Sequence, residues 1–335
     1  MAKQYIQDLK VNDRVDSFFM LNKKNLKLTK YDKPYMELGL SDKTGKIEGR
    51  LWDNAEDFDQ AVQTGDIVRV KGSVSKFKED KQLKVDMVEP ADDRAYLYED
   101  MVRVAENREE IFNRIKSYLA GLKDPSLKAL ADLFMSDDDL IKAFMDGVGG
   151  KSWHNAYIGG LAEHTYEVMF ITDKMCELYP DVNRDLAIMG AFLHDIGKVF
   201  ELDPRKMEYT EEGGLLGHIA IGYGLLKSKI DSLTDFPDDR ALHLCHIVLS
   251  HHGEYEQQSP VLPKTLEATI VYQVDELVSQ ANAVKEIRSA QAEEGRPWSN
   301  FVSIKNRKYY LKTPAQEPIP PVSDTARPAR KDLFG

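Results

Sequence analysis

The segment Leu193-His194-Asp195-Ile196-Gly197-Lys198 lies on an apolar helical run that begins near Leu186. It places an imidazole beside a carboxylate, and both groups are ligands that suit borderline divalent metals. Because neighbouring ligands on one helix need partners from separate helices to close a coordination sphere, the segment predicts a helical domain with more ligands elsewhere. Gly197, having no side chain, lets either a substrate backbone or a neighbouring helix come close.

Other candidate ligands lie in separate predicted helices. All eight histidines of the chain fall within residues 154–252. A lone histidine on an amphipathic helix is usually a hydrogen-bonded structural residue, and we assign His243 and His246 to that class. Asp275, inside the otherwise apolar run 268–278, is either a ligand or an exposed helix carboxylate. The candidate metal ligands are His164, His194, Asp195, His218, His251, His252 and Asp275.

Residues 1–92 have the pattern of a small β domain. Apolar and polar residues alternate, as at Met36, Leu38 and Leu40, and residues 54–62 predict one short helix. The predicted strands are Arg14 to Leu21, Pro34 to Leu40, Lys46 to Trp52, Asp66 to Val74 and Gln82 to Val88. Five strands with a helix between the third and the fourth resemble an OB-fold, a partly open β-barrel that often binds oligonucleotides.

From about Ala95 onward, the apolar residues recur at the spacing of an α-helix. We therefore expect an all-α domain over residues 93–295, followed by a C-terminal arm over 296–312 with a strand or extended segment. Residues 313–335 hold Pro314, Pro318, Pro320, Pro321 and Pro328, and we expect this tail to be disordered. The predicted fold class is a multidomain α and β chain, a five-stranded OB-type barrel followed by a helical domain.

The length and composition of the chain indicate the cellular compartment in which it folds. A chain of 335 residues has room for two domains, and two cysteines cannot build a disulfide framework. Residues 1–10 have no apolar core of signal-peptide length, and no stretch approaches 18 uncharged apolar residues. We therefore expect a cytoplasmic protein without a membrane partner.

The net charge of −11 would argue against a polyanionic partner if it were uniform. It divides instead into +1 for residues 1–90 and −12 for residues 91–335. The β domain is nearly neutral and carries local lysine clusters and aromatic residues, which suit phosphate contacts and base stacking. The alternative is that Trp52 belongs to the barrel core and the lysines protect edge strands from pairing. The candidate nucleic-acid-binding residues are Lys23, Lys24, Lys27, Tyr31, Tyr35, Trp52, Phe77 and Lys78.

Over residues 100–295, the order His, His-Asp and Asp resembles the HD-domain superfamily of metal-dependent phosphohydrolases. The superfamily pattern matches His164, His194, Asp195 and Asp275, and its two-metal branches add two histidines that His218 and His251 could match. His252 is an alternative or additional ligand. We favour His251, because it lies on the same helical face as Ile247 and Val248.

A two-metal centre suits phosphodiester hydrolysis, because metals that share a carboxylate and a water lower the pKa of that water. Asp195 is the expected bridge and a catalytic residue. Lys198, the second catalytic candidate, could present its ammonium to a phosphate oxygen, or could be a solvent-facing helix lysine. The nitrogen-rich ligand set disfavours a magnesium-only site, so we expect manganese first, then iron, cobalt or zinc.

An OB-fold in front of an HD domain resembles the YhaM family of 3′→5′ exoribonucleases over nearly the whole chain to about residue 312. The match is carried by 159–165, 192–198, 217–219, 249–253, 259–260, 267–268 and Asp275. One departure is Glu276, where the family typically has Asn or Asp, which leaves the partner of Asp275 open. The resemblance implies hydrolysis of single-stranded RNA, and also single-stranded DNA, to nucleoside monophosphates by a metal-activated water.

Three alternatives stay open from the sequence. The pair His251-His252 suits an HD phosphodiesterase for a cyclic dinucleotide or another nucleotide, although the glycine-tyrosine-proline signature of that branch is absent. A di-iron oxygenase is a redox alternative. The third is a non-catalytic RNA-binding protein whose helical domain is only a scaffold.

The arm around 301–311 could pack on a neighbouring subunit and so form a homo-oligomer.

Overall fold

The computed structural model describes residues 3–77, 80–92, 94–151, 155–291 and 297–312. Lys78 and the predicted tail 313–335 lie outside these described residues. The described residues up to Ala283 form one compact unit, and those from Val284 form a second. The predicted boundaries after residues 92, 295 and 312 stay predictions. No helix in the described ranges is long and apolar enough to cross a membrane.

The first part of the chain is a closed barrel with the strand order β1-β2-β3-β5-β4. Strand β3 runs parallel to β5, whereas the other neighbouring strands are antiparallel. The elements are β1 (Arg14–Leu28), β2 (Pro34–Asp42), β3 (Gly45–Leu51), α1 (Ala55–Ala61), β4 (Ile67–Phe77) and β5 (Asp80–Pro90). This order confirms the predicted OB-type barrel. Strand β1 extends beyond Leu21 because its lysine-rich second half pairs with β2.

Alternating side chains fill the barrel. Phe19, Met36 and Leu83 are fully buried, as their apolar positions in the alternating pattern require. Gly72 lies at a register shift between β4 and β5, where a Cβ atom would lie 2.2 Å from the carbonyl oxygen of Lys84. Only glycine fits this bulge without moving the strand.

The second part is helical, as predicted, apart from one two-residue strand pair. Its elements are α2 (Arg108–Ala120), α3 (Pro125–Met135), α4 (Asp138–Asp146), α5 (Gly160–Leu178), α6 (Arg184–Leu193), α7 (Lys198–Glu201), β6 (Leu202–Asp203), β7 (Glu208–Tyr209), α8 (Glu211–Asp231), α9 (Asp238–Ser250) and α10 (Leu266–Gln291). Phe192 of α6 makes edge contacts with Phe134 and Phe144, at ring-centroid distances of 6.1 and 5.8 Å. Helix α6 therefore lies at the centre of the core.

Two local features position residues of the later site. Gly217 adopts a positive φ of 72° and kinks α8, so that His218 begins a new helical direction. A small apolar cluster that includes Met20, Ile67, Met101 and Val102 joins the barrel to the segment that leads into the helices. The hydroxyl of Tyr98 in that segment donates a 2.8 Å hydrogen bond to the carbonyl of Arg205.

The described residues 297–312 form a short hairpin. Antiparallel bridges join Trp298 to Tyr310 and Val302 to Arg307. The chain reverses direction at a 3₁₀ turn, Ser303–Lys305, and at the following Asn306, which has a φ of 49°. The predicted extended arm is therefore two short paired segments, because the turn lies within it.

Candidate metal centre

The predicted ligands meet in the interior of the helical domain. His164 comes from α5 and Asp275 from α10, while His194 and Asp195 follow the C-terminal end of α6. His218 follows the kink in α8, and His251-His252 follow α9. Asp195 is only 2% exposed, and His164, His194 and His251 are buried as well. The fold thus places several polar groups where water has little access.

One group of donor atoms lies around His164. Its Nε2 is 3.0 Å from Oδ1 of Asp275 and 3.2 Å from Nε2 of His194. Oδ2 of Asp195 lies 3.3 Å from Nε2 of His194 and 3.5 Å from Nε2 of His164. Two imidazoles and two carboxylates therefore face a common point, which is the donor set of a divalent transition-metal site.

A second group faces the other oxygen of the same aspartate. Oδ1 of Asp195 lies 3.4 Å from Nε2 of His218 and 3.5 Å from Nε2 of His251. These three buried atoms have no hydrogen-bond partner among the described residues. Leaving a buried polar atom unpaired costs about 1–3 kcal/mol, so the arrangement fits a cation that all three atoms would bind. The imidazole of His252 belongs to the same group, with donor atoms within 4.8 Å of one another.

Hydrogen bonds to the other ring nitrogens orient the imidazoles. Nδ1 of His194, His251 and His252 each lies 2.7 Å from a backbone carbonyl, those of Ala191, Val248 and Gln257. Because a carbonyl oxygen only accepts, each Nδ1 carries the proton and each Nε2 presents a lone pair. This is the tautomer that a metal ligand needs.

Glu201 orients His218 and was not predicted from the sequence. Its Oε1 accepts hydrogen bonds from the backbone N–H of His218 at 2.9 Å and from Nδ1 at 3.0 Å. The carboxylate is buried at the C-terminal end of α7. The signal was present in the sequence, because Glu201 is a lone charge between Phe200 and Leu202.

The electrostatic environment keeps three of the imidazoles and the central carboxylate in their binding forms. Burial lowers the pKa of His218 and His251, and lowers the pKa of His252 to about 4, so these rings are neutral near pH 7. Burial alone would raise the pKa of Asp195, but the Lys198 ammonium and nearby imidazoles hold it well below its usual range.

Lys198 is not the solvent-facing lysine of the alternative interpretation. Its side chain is 11% exposed, and its ammonium donates to Oδ2 of Asp195 at 2.7 Å and to the Gly149 carbonyl at 2.8 Å. It therefore fixes the carboxylate that faces both donor groups.

The lack of a side chain at Gly197 admits a neighbouring helix. A Cβ atom there would lie 2.0 Å from the His218 carbonyl oxygen and 2.6 Å from the Gly222 nitrogen. Of the two interpretations made from the sequence, close helix packing is the one that the structure shows. The contact sets the distance between the His-Asp segment and α8.

The barrel presents several of the predicted aromatic residues on its surface. Tyr35 and Trp52 stack with ring centroids 4.9 Å apart, and Trp52 is 43% exposed, so it is not a core residue. Phe77 and Tyr31 are also exposed. The Arg50 guanidinium, which was not predicted from the sequence, lies 5.0 Å from the centroid of the Phe77 ring. Side chains alternate between the two faces of a strand, so the position of Arg50 next to the buried Leu51 could have predicted its place on the outer face.

The predicted lysines of the barrel differ in their surroundings. Lys24 pairs with Asp59 at 2.9 Å and Lys27 with Glu37 at 2.7 Å. Lys23 is exposed on the same strand. The side chain of Lys27 is 49% exposed, and exposed ion pairs contribute little stability, so Lys27 can exchange its carboxylate partner for phosphate at low cost. Lys24 is only 21% exposed and is held more firmly.

Comparison with known proteins agrees with this architecture. Residues 161–279 match the family model of the HD domain, and residues 21–91 match that of an OB-fold nucleic acid binding domain. The 3′-5′ exoribonuclease YhaM of Geobacillus sp. (strain WCH70) is 30% identical over 318 residues, covering 92% of this chain and 95% of that protein. The protein of the same name from Bacillus subtilis (strain 168) is 29% identical over 306 residues, covering 90% and 96%. A domain of replication protein A from Methanococcus maripaludis is 26% identical, with a TM-score of 0.25, over 27% of this chain and 97% of that one.

Proposed function

Because the chain belongs to the family of YhaM 3′-5′ exoribonucleases and is a hydrolase of phosphodiester bonds, we propose that it removes nucleoside monophosphates from the 3′ end of single-stranded RNA at the His-Asp centre. One observation supports this assignment most directly. Asp195 presents one oxygen to each of two groups of imidazoles, and three buried donor atoms there have no partner among the described residues.

We assign two divalent ions to this centre. His164, His194, Asp195 and Asp275 would hold one ion, and Asp195, His218 and His251 would hold the other, with His252 as an additional ligand. When bound, the ions would lower the pKa of a bound water and neutralise charge on the attacking and leaving oxygens. We assign manganese first, with iron, cobalt and zinc as alternatives, because the site mixes carboxylate donors with imidazoles.

The protein's own groups prepare the centre for a phosphodiester. Neutral His218 and His251 present lone pairs without adding charge, and ionised Asp195 stays fixed between the two groups. The ammonium of Lys198 holds this carboxylate in place. It also adds a positive charge that attracts a non-bridging phosphate oxygen.

The barrel supplies a second set of contacts to the substrate. We assign base stacking to Tyr31, Tyr35, Trp52 and Phe77, and phosphate contacts to Lys23, Lys24 and Lys27. Lys78, the eighth candidate, lies outside the described residues. Stacking and phosphate contacts do not require a 2′-hydroxyl, so single-stranded DNA is proposed as a further substrate.

We place the activity in the cytoplasm. RNA is available there, and a reducing compartment suits Cys176 and Cys245, which are both free thiols.

End-labelled RNA and DNA oligomers, incubated with a panel of divalent metals, test the proposed function. Label at the 3′ end should appear at once as mononucleotide, and 5′ label should give a shortening ladder, with manganese most effective. The Asp195→Asn variant should lose metal and at least about a thousandfold in rate, by analogy with loss of other strong electrostatic groups. Asp132→Asn, which changes an exposed carboxylate of α3, is the matched control. Shortening from the 5′ end, or full activity of Asp195→Asn, would contradict the proposal.

A further inference from the structure

The short hairpin at residues 297–312, called the basic hairpin below, concentrates positive charge. It contains four cations and no aspartate or glutamate, so its net charge is +4 in a chain whose net charge is −11. The cations are Lys305, Arg307, Lys308 and Lys312. The side chains of Arg307, Lys308 and Lys312 are exposed. A local excess of this sign attracts a polyanion even though the whole molecule does not.

The basic hairpin also exposes large aromatic rings. Trp298 is 52% exposed, Phe301 57% and Tyr310 53%. The rings of Trp298 and Tyr310 lie across the two segments from each other, with centroids 5.1 Å apart at an angle of 67°. About half of the surface of each residue is therefore exposed, and this exposed part can stack on flat partners such as nucleobases.

Backbone hydrogen bonds hold these side chains at fixed spacing. The amide of Val302 donates to the Arg307 carbonyl at 2.8 Å, and the amide of Leu311 donates to the Pro297 carbonyl at 2.9 Å. Between them, the amide of Ser299 donates to the Tyr309 carbonyl at 2.9 Å. Cations and rings on a preformed hairpin lose less conformational freedom on binding than the same residues in a flexible tail.

We propose that the basic hairpin is a second binding element for single-stranded RNA. Its cations contact the phosphate backbone, and Trp298, Phe301 and Tyr310 stack on bases, a combination that tolerates any sequence. The hairpin lies beyond both matched family models, which end at residues 91 and 279. The choice of RNA as the polyanion rests on the proposed function.

A second copy of this chain is the competing occupant. Residues 91–335 carry a net charge of −12, so an acidic surface is available for a subunit contact through the arm. Exposed rings beside cations favour nucleic acid, because RNA offers phosphates and flat bases at regular spacing. The experiment below separates the two occupants.

Neutralising the cations of the hairpin tests the proposal in the full-length, metal-loaded protein. The triple variant Arg307→Gln, Lys308→Gln, Lys312→Gln is compared with Lys116→Gln, Lys142→Gln, Lys174→Gln, which makes the same change in net charge on the helical body. Fluorescence anisotropy measures binding of a labelled, phosphorothioate-linked single-stranded RNA that resists hydrolysis. The hairpin variant should bind at least about tenfold more weakly near 0.1 M salt, with a salt slope shallower by about 2. The body variant should bind like the parent protein.

A second variant isolates the stacking contribution. Phe301→Leu keeps an apolar side chain but removes the ring, and we expect binding at least about fivefold weaker with an unchanged salt slope. Circular dichroism and hydrolysis of bis(p-nitrophenyl) phosphate should be unchanged in every variant, which shows that the fold and the metal centre are intact.

Three results would overturn the proposal. In the first, the hairpin variants bind RNA as tightly as the parent protein. In the second, the body variant loses as much RNA affinity as the hairpin variant. In the third, light scattering shows a smaller oligomer for the hairpin variant while its RNA affinity is retained. The last result would assign the hairpin to a contact between subunits. Failure of the proposed function is distinguishable: the parent protein would release no nucleotide from a 3′ end, yet would still bind RNA in a hairpin-dependent way.

Discussion

The carboxylate of Glu201 fixes both the backbone and the ring of His218, so it decides where one candidate ligand points. Replacing Glu201 with alanine should weaken metal binding about 10–100-fold, because groups that orient a ligand are commonly worth this much. Replacing it with glutamine should cost less, since the side-chain oxygen still accepts a hydrogen bond. Metal titration followed by elemental analysis measures both variants.

Glu208, a carboxylate close to Glu201 in the sequence, is a suitable control for it. It pairs with Lys151, and Glu208→Gln should leave the metal affinity unchanged. An affinity of Glu201→Ala equal to that of the parent protein would show that Glu201 only stabilises the fold.

His246 tests the pH dependence of stability away from the ligands. Its Nε2 accepts a 2.9 Å hydrogen bond from the Lys264 amide, and burial lowers its pKa. The unfolded state, with an ordinary pKa of about 6.5, therefore binds a proton before the folded state does as the pH falls. This contribution to stability is present above that pH and is lost below it.

The variant His246→Gln keeps an acceptor but removes the titration. The stability advantage of the parent protein over this variant should shrink between about pH 7.5 and 5.5, since the ordinary histidine pKa lies between them. Urea unfolding at both pH values measures the difference. An advantage that grows with acidification would contradict the assigned direction of the pKa shift.

At the scale of elements, the close contact between Gly197 and α8 leaves no room for a side chain at residue 197. Gly197→Ala would place a methyl group against the His218 carbonyl and the Gly222 nitrogen, which must then move apart. We expect a loss of stability of about 1–3 kcal/mol, as in overpacked cores, together with weaker metal binding. Thermal unfolding and metal titration measure the two effects.

The control for this change lies in α8, the helix that Gly197 contacts. Gly224 has no heavy atom within 4 Å of an added Cβ, so Gly224→Ala should be neutral or stabilise α8 by up to about 1 kcal/mol. Equal effects of the two substitutions would show that the Gly197 contact does not position His218.

The stacked pair on the barrel surface makes a prediction about RNA affinity. Trp52→Ala should weaken binding of single-stranded RNA by about 1–3 kcal/mol, because one stacking platform is lost. The fold should survive, since Trp52 is 43% exposed. Tyr179→Ala, which removes an exposed ring after α5, is the control, and an equal loss of affinity there would contradict the assignment of the barrel surface.

At the scale of the whole molecule, the uneven charge distribution predicts that substrate size decides the effect of salt. Cleavage of long single-stranded RNA should slow steeply as salt rises from about 50 to 200 mM, because each phosphate contact adds about 0.7 to the salt slope. Hydrolysis of bis(p-nitrophenyl) phosphate should change little, since it needs only the metal centre. A salt effect of the same size on both substrates would contradict binding through local basic surfaces.

The sequence determined the architecture, the family and the enzyme class of this protein. Period-two alternation around Leu38 and period-3.6 repeats after Ala95 predict strands and helices locally, because each pattern depends only on neighbouring residues. The order of His164, His194-Asp195 and Asp275 also survives in the linear chain, so a motif can be recognised from it. Strand lengths were less predictable, since the end of β1 depends on pairing with β2.

Only the tertiary structure decided how the side chains face one another. It brings the two oxygens of Asp195 to separate groups of imidazoles, sets Glu201 behind His218, and buries Lys198 against Asp195. It also leaves Trp52 on the surface instead of in the core. These relations join residues from different helices and strands, and no local pattern specifies the packing that brings them together.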